Sequence, residues 1–424
     1  MTALAVVSDT LAGAYLAPAL DRKLAASQLE GSARSLVTEL AYGCLRRLLQ
    51  VDEILSPRLE APGKLPERVR AALRLGVYEL RFRGTPPHAA VSTWVEIVKA
   101  EAPGLAKLAN AVLRAVAREL AKEAEAGERG SGGAAAYSLP DWLWSRFQRA
   151  LGEDAGAAAA GMLEPEPLWL TAFSEAAEES LLADGCEVRR GPLPPPPPVS
   201  LSVRSPLPLA RLAAFSAGLV QAQNPSSLFA ARLLAAAPGE RVLDLASGRG
   251  VKSAVLAAAG ADVTAVELAP GRAEAAGRNL ARLGSSVKQV VADLLAPLPP
   301  VLSAGGADKV LLDAPCSGTG TLRGHPEIKL RLTPEAVGEL AALQGRLLAV
   351  AASLLRPGGT LLYAVCALTP EEGPEVVAAF LAANGDFASL PFDPPLPARR
   401  SGPGTYILPT NGLDGFYLAP LARR

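Results

Sequence analysis

Four cysteines stand in the 424 residues, at positions 44, 186, 316 and 366, and two of them sit where chemistry is plausible. Cys316 lies in DAPCSGTG (313–320), three residues after Asp313, which ends an apolar run. Cys366 ends a second apolar run, TLLYAVC (360–366). A free thiol has a pKa of about 8.5, so only a few per cent is thiolate at neutral pH. A nucleophilic cysteine therefore needs electropositive surroundings or a loop that opens it to substrate. Cys44 lies on an apolar helix face and reads as core, and Cys186 is remote from any such run. Four scattered cysteines are not a disulfide framework. With no CxxC and only His88 and His325 as histidines, the pattern holds no metal site.

A second set of residues suits a nucleotide. LDLASGRGVKS (243–253) reads as strand, turn and helix start. Gly248 and Gly250 permit close backbone approach, and the helix start offers free N–H groups. The stretch is neither GxxxxGK[ST] nor GxGxxG, so nothing in it demands a pyrophosphate. Glu267 ends the next predicted strand, where a carboxylate can accept from a ribose diol. Asp293, in VVADLL, stands where an adenine amino group would be met. Each acid alone reads equally well as a helix cap or a loop solubiliser. Asp244, Glu267, Asp293, Asp313 and Cys366 at successive strand ends make a site. Glycine loop, acid and acid are spaced as in class I methyltransferases that bind S-adenosylmethionine, with an NAD enzyme as the rival. The Asp-Ala-Pro-Cys at the fourth strand argues against that rival. It also departs from the Asn/Asp-Pro-Pro-Tyr/Phe of amino-group methyltransferases.

The elements that must carry these residues fall into regions. Residues 1–125 show apolar positions at helical spacing in SARSLVTELAYGCLRRLLQVDEIL, ERVRAALRLGVYELRF and KLANAVLRAVAREL. Gly84, Pro86 and Pro87 break the chain between helices. A Gly- and Ala-rich linker, residues 126–136, follows. Residues 137–215 read as a small α+β segment. Its GPLPPPPPVS (191–200) predicts a stiff polyproline II surface loop, with a ligand for a proline-binding module as the alternative. From 216 to 424, short β-rich runs alternate with helices, which predicts a mostly parallel sheet with helices on both faces. Half the residues are hydrophobic and the formal net charge is zero, so no wholesale electrostatic grip on nucleic acid is evident. No uninterrupted apolar run reaches the roughly 18 residues of a membrane helix. The N-terminus lacks a basic leader region and Asp9 interrupts it, so it reads as the first helix of a cytoplasmic protein without a membrane partner.

DAPCSGTG with HPEIK, LLYAVC with PEEG, and the terminal DGFYLA resemble the RNA cytosine-5 methyltransferases of the Sun/Fmu/RsmB type. ELAYGCLRR, ALRLGVYELRF, PPHAAVSTWVEIVK and LANAVLR resemble the NusB-like domain that one branch carries, which points to the 16S ribosomal RNA enzymes. The resemblance covers nearly the whole chain. It implies an all-α NusB-like domain, a Rossmann-like S-adenosylmethionine-dependent catalytic domain, and a monomer acting on unassembled or partly assembled 16S RNA. It makes Cys366 the nucleophile toward carbon 6 of cytosine, Cys316 the residue that assists release, and Asp313 the partner of the ring edge. It places the cofactor on Ala246, Ser247, Gly248, Arg249, Gly250, Val251 and Lys252, with Glu267, Asp293 and Asp313. Departures from the family pattern are Arg249 and Val251 in the glycine loop, Val365 and Ala367 beside the nucleophile, Asn224 in place of an acid, and WLTAF (169–173) without the usual Arg and Asn. These departures would also suit an RNA-binding assembly factor with weakened catalysis. Retention of both cysteines and Asp313 argues against it.

Overall fold

A computed structural model describes residues 1–126, 133–165, 167–303 and 306–424. The central part of the expected linker, residues 127–132, lies outside them. The chain forms two compact units. One comprises Met1–Ser145, Met162–Pro165 and Leu322–Arg331; the other holds the rest.

The first unit is helical: α1 (Thr2–Leu11), α2 (Leu16–Ala25), α3 (Gly31–Arg46), α4 (Leu48–Leu55), α5 (Glu67–Tyr78), α6 (Pro87–Glu101) and α7 (Ala106–Ala126). Helix α5 shows why. Val69, Ala72, Leu73 and Gly76 fall at i, i+3, i+4 and i+7, and all are buried. Gly84 takes a left-handed conformation (φ 68°) that stops the helical run, and Pro87 opens α6 at a position needing no N–H. Helix α3 carries glycine at 43 because a Cβ there would lie 1.9 Å from the Tyr78 hydroxyl oxygen.

Leu322–Arg331 joins this unit from far along the chain. Arg46 Nε donates to the Arg323 carbonyl (2.8 Å), Leu16 N to Glu327 Oε1 (3.2 Å), and Lys329 Nζ to the Arg46 carbonyl and Ser138 Oγ. Leu330 packs on the helical core, and the Arg331 guanidinium sits 4.7 Å from the Tyr15 ring centre.

The second unit contains two sheets. The smaller is antiparallel, in the order β2-β3-β1-β4, from β1 (Leu168–Ala172), β2 (Glu187–Arg190), β3 (Val199–Arg204) and β4 (Val220–Ala222). Cys186 is buried in its core with Leu170, Leu181 and Leu201. The five prolines between β2 and β3 make a bent connection and not an extended polyproline II rod. Arg232 draws the bend together by donating to the Pro194 and Pro198 carbonyls (2.8 and 3.5 Å).

The larger sheet is mixed. β5 (Arg241–Leu245), β6 (Asp262–Glu267), β7 (Lys288–Val291), β8 (Ala307–Asp313) and β9 (Leu355–Val365) are parallel, in the order β9-β8-β5-β6-β7. This is a Rossmann-like arrangement. Where a mostly parallel sheet was expected, β10 (Phe387–Ser389), β11 (Ala398–Ser401), β12 (Gly404–Ile407) and β13 (Phe416–Arg423) extend it antiparallel beyond β9. The chain leaves β5 toward β6 on one side and later returns to β8 on the other. Ligands bind beyond the carboxyl ends of the strands at such a reversal. One helix, Pro334–Leu354, is long and apolar enough to span a bilayer by length and composition, but Gln344, Leu347, Leu348 and Ala351 are buried and it packs on β8 and β9.

Candidate active site

The carboxyl ends of β5, β6, β8 and β9 bring most of the expected residues into one crevice. Asp313 is the last residue of β8 and Cys366 follows the last residue of β9. Ala314 N donates to Ala364 O and Gly320 N to Cys366 O, both at 2.9 Å, so the DAPCSGTG loop is stitched to the β9 end. Gly320 also abuts Gly415 of the DGFYLA stretch, where a Cβ would come within 2.1 Å of the Gly415 carbonyl oxygen. Gly415 N returns a bond to Gly320 O (2.8 Å). Three sequence-distant motifs thus meet around Cys316.

The two thiols are 3.3 Å apart, Sγ to Sγ, and both are partly exposed. The Cys316 thiol is pushed well up by its hydrogen bond with Cys366, then by burial and by the charges of Cys366 and Glu372. Cys44, fully buried in the helical unit, is raised to about 12 by burial alone in the main. Cys44 is core, as its context predicted, and Cys186 proves to be core as well.

Lys252 Nζ lies 2.6 Å from Asp313 Oδ2 and 5.4 Å from the centre of the Phe416 ring. Its ammonium is desolvated, yet the charges of Asp313 and, more weakly, Cys366 leave it protonated, above the usual lysine value. A fixed cation therefore serves both the carboxylate and the β9 thiol. Deeper in, Asp244 is buried and accepts from Ser253 Oγ (2.5 Å). Burial pushes its carboxyl up to about 7.

The glycine loop has a shape that fits a ligand. Ala246, Gly248 and Gly250 all have positive φ (60°, 58° and 70°). Nothing lies within 4 Å of where a Gly248 Cβ would stand, so the backbone faces open space. Gly250 instead backs onto Leu280 and Ala276, leaving no room for a side chain. Ser247 N bonds to the Val266 carbonyl (2.8 Å), tying the loop to β6. Val251 begins the helix Val251–Ala258, and its carbonyl accepts from Gln221 Nε2 (2.9 Å). Arg249 is exposed at the loop tip.

Glu267, buried at the end of β6, accepts from Gly248 N (3.0 Å), Ala269 N (2.8 Å) and Arg272 Nε (2.8 Å). Asp293 stands two residues past β7, exposed, and caps Leu295 N (2.9 Å). It is the member of the set least built into the crevice.

Sequence reasoning missed Glu372, Gln344 and Thr369. Glu372 is fully buried and accepts from Ser317 N and Oγ, Thr369 Oγ1 and Gln344 Nε2. PEEG (370–373) was visible as a motif, but nothing in it distinguished the fully buried acid from half-buried Glu371, which pairs with Arg146 (2.9 Å). Six arginines of the helical region that could have served RNA contact, Arg34, Arg46, Arg47, Arg74, Arg81 and Arg83, are engaged inside the helical unit. Arg74 pairs with Asp52 (2.7 Å), Arg83 with Glu39 (3.2 Å), Arg81 with Glu123 (3.5 Å), and Arg47 with Glu164 (3.8 Å). Arg34 donates to the Leu24 carbonyl (3.1 Å), and Arg46 is buried against Arg323.

Comparison with known proteins agrees with this geometry. A family profile described as "16S rRNA methyltransferase RsmB/F" matches residues 231–422, and the NusB family profile matches residues 2–118. The "Ribosomal RNA small subunit methyltransferase B" of Thermus thermophilus is 44% identical over 99% of this chain and 96% of its own length. The protein of that name from Klebsiella pneumoniae is 34% identical over 92% and 90%. The solved structure of PH0851 shares the fold (TM-score 0.78, 24% identity, all of this chain and 98% of that one). A NusB-type helical unit joined to a methyltransferase sheet, with full-length identity of this order, means that the chain belongs to the RsmB/F family of 16S rRNA methyltransferases.

Proposed function

We propose that this protein methylates carbon 5 of a cytosine in 16S ribosomal RNA, with S-adenosylmethionine as donor, through a covalent bond from Cys366 to carbon 6. The observation that carries this is the pair of thiols 3.3 Å apart beside the Lys252–Asp313 ion pair. Two cysteines at adjacent strand ends suit a reaction in which one sulfur adds to a ring and another group helps it leave. The open backbone at Gly248 and the buried Glu267 carboxylate fit an adenosyl group. Ala246 to Lys252, Glu267, Asp293 and Asp313 are the residues proposed to hold it. When bound, the cofactor supplies an electrophilic methyl on a sulfonium.

Carbon 5 of cytosine is a weak nucleophile. Addition of the Cys366 thiolate at carbon 6 makes the ring an enamine whose carbon 5 can take the methyl. The charge entering the ring is neutralised if N3 takes a proton from solvent, returned when the C5–C6 double bond is restored, and the Asp313 carboxylate is proposed to accept from N3–H and the amino group. Lys252 holds Asp313 in position and keeps positive charge beside Cys366. Afterwards Cys316, its own proton having passed to solvent, accepts the carbon 5 proton as a thiolate. The electron pair restores the C5–C6 double bond as the C6–S bond breaks. A covalent route replaces one difficult step by two easier ones. The target base must leave any helical stack, at a cost of about a few kcal/mol, so looped or unassembled RNA is the proposed substrate. The helical unit is proposed to help hold that RNA in a cytoplasmic monomer. Exposed Arg114 and Arg118 beside the α6–α7 groove are better placed for this than the paired arginines.

The test is transfer from labelled S-adenosylmethionine to unmodified small-subunit RNA. Cys366→Ala should abolish transfer. Cys316→Ala should accumulate a protein–RNA adduct that survives denaturant. Wild-type turnover in Cys366→Ala would overturn the assignment.

A further inference from the structure

Glu372 has no place in the chemistry above, yet it is the most completely bonded carboxylate near it. It is fully buried. Oε1 accepts from Ser317 N (2.7 Å) and Gln344 Nε2 (3.1 Å); Oε2 accepts from Ser317 Oγ (2.5 Å) and Thr369 Oγ1 (2.7 Å). The four donors come from three segments: the loop after β8 that carries Cys316, the helix Pro334–Leu354, and the loop after Cys366. Gln344 Nε2 also reaches the Pro315 carbonyl (3.0 Å), the residue before Cys316. The Tyr363 hydroxyl, on β9 three residues before Cys366, lies 2.7 Å from the Glu372 carbonyl and 3.1 Å from Gln344 Oε1. No lysine or arginine pairs with Glu372 among the described residues. The field of a buried group held by neutral donors is little screened by water.

The charged and titratable groups facing the thiols are few. Lys252 and Asp313 lie toward Cys366, and Glu372 and Tyr363 lie toward Cys316. Two thiols 3.3 Å apart share one hydrogen bond, in which either sulfur can donate. On the Cys366 side the Lys252 ammonium is neutralised by Asp313, whereas the Glu372 carboxylate on the Cys316 side has no cationic partner among the described residues, and that asymmetry settles which one does.

We propose that Glu372 is a positioning residue of the two-thiol site: its carboxylate clasps the Cys316 loop to the loop after Cys366, and its charge keeps the shared proton on Cys316. The raised proton affinity of Cys316, to which Glu372 contributes after Cys366 and burial, accords with this. The assignment of Cys366 as the adding sulfur rests on the reading above; the clasp itself does not. The protein thereby sorts two chemically identical groups into a nucleophile and a proton holder before substrate arrives.

The test uses the full chain and two substitutions. In Glu372→Gln the amide oxygen can still accept from Ser317 N and Gln344, while the Ser317 and Thr369 hydroxyls can turn to accept from the amide nitrogen. This keeps the clasp and removes the charge. Glu372→Ala removes both. The first readout needs neither RNA nor cofactor: alkylation by iodoacetamide across pH 6–9, with mass spectrometry locating the label. Wild type should label Cys366 in preference to Cys316. Glu372→Gln should lower that preference about tenfold, as a one-unit change in thiol acidity would. The second readout is intramolecular Cys316–Cys366 disulfide formation with diamide. It should be unchanged in Glu372→Gln and slowed in Glu372→Ala. In methyl transfer, Glu372→Gln should lower kcat about tenfold and leave KM for RNA and cofactor unchanged. Unaltered labelling preference in Glu372→Gln would overturn the proposal, whether or not Glu372→Ala folds. Loss of preference in a protein whose wild type transfers no methyl would uphold the role of the Glu372 charge and overturn the proposed reaction instead.

Discussion

Asp244 shows what a single residue's surroundings do to its chemistry. It sits one residue before the end of β5, and the alternation of strands and helices already placed it among the strand-end acids. What the sequence could not show is that it faces inward. Its carboxyl is buried against Ser253, and burial raises its proton affinity to about 7, with the nearby Asp313 charge adding to the rise and Ser253 opposing it. In the unfolded chain it titrates near its ordinary value of 3.8. Between about pH 4 and 7 the folded state therefore holds a proton that the unfolded state has lost. The stabilisation from this group is complete below pH 4 and is lost as pH rises through 7. A displacement of this size corresponds to at most about 4 kcal/mol. Asp244→Asn keeps a polar partner for Ser253 and has no proton to lose. Urea midpoints measured from pH 4 to 8 should thus fall for wild type relative to the variant across pH 4–7 and run parallel above it. Parallel curves throughout would show that Asp244 is ionised in the folded protein. The same limit explains why Glu372 escaped notice beside Glu371: adjacent acids in one short motif, one fully buried among neutral donors and one half-buried against an arginine, look identical in a sequence.

At the level of elements, the parallel strands were legible because each is a short apolar run followed by a helix with its own periodicity. The antiparallel extension was not. β10 has three residues, β11 reads ARRS and looks like a loop, and β13 is buried on both faces so its residues do not alternate. Connections between elements were legible only in part, and Asn224 is the clearest case. The family pattern led us to regard its amide as a loss of an acid. In the fold the amide is required. Asn224 Oδ1 caps the helix Pro225–Leu233 by accepting from Ser226 N (3.1 Å) and also accepts from Asp414 N (3.0 Å), while Nδ2 donates to the Gly412 carbonyl (3.0 Å). The Gly412 carbonyl also takes Trp169 Nε1 from β1 (2.8 Å). One side chain therefore starts a helix and anchors the loop that leads into β13. An aspartate could keep both acceptor roles but would set a carboxylate oxygen against the Gly412 carbonyl. Asn224→Asp should destabilise by about 1 kcal/mol, the net loss of one hydrogen bond to a carbonyl that Trp169 still satisfies. Asn224→Ala should cost more, because the helix cap is lost as well. Equal urea-unfolding free energies for wild type and Asn224→Asp would remove the donor from the account.

On the scale of the whole molecule, continuity in sequence was the assumption that misled. The helical region could be read from its periodicity, but the segment Leu322–Arg331 could not be assigned to it. It is short, it follows directly on the Cys316 loop, and its partners lie some 190 to 310 residues earlier. Lys329 is its most informative member. It is buried, with Nζ donating to the Arg46 carbonyl and to Ser138 Oγ (3.2 Å). A neutral amine has two N–H groups, which is enough for both acceptors, so the charge adds nothing that the site needs. Burial, with the guanidinium groups of Arg47 and Arg46 adding to it, lowers its proton affinity to about 7. The unfolded chain keeps that proton up to its ordinary value of 10.5. From about pH 7 to 10.5 the unfolded state thus binds more protons than the folded one, and stability rises with pH across that window. Below pH 7 both states hold the proton and the cost of the buried charge is constant. This window lies above that of Asp244, so the two effects separate. Lys329→Met fills similar volume without a charge. The difference in urea midpoint between wild type and Lys329→Met should move in favour of wild type between pH 7 and 9.5, by up to a few kcal/mol. A difference that stays constant over that range would show that Lys329 remains charged within the helical unit, and that the segment following the Cys316 loop is held there by a cation and not by a neutral amine.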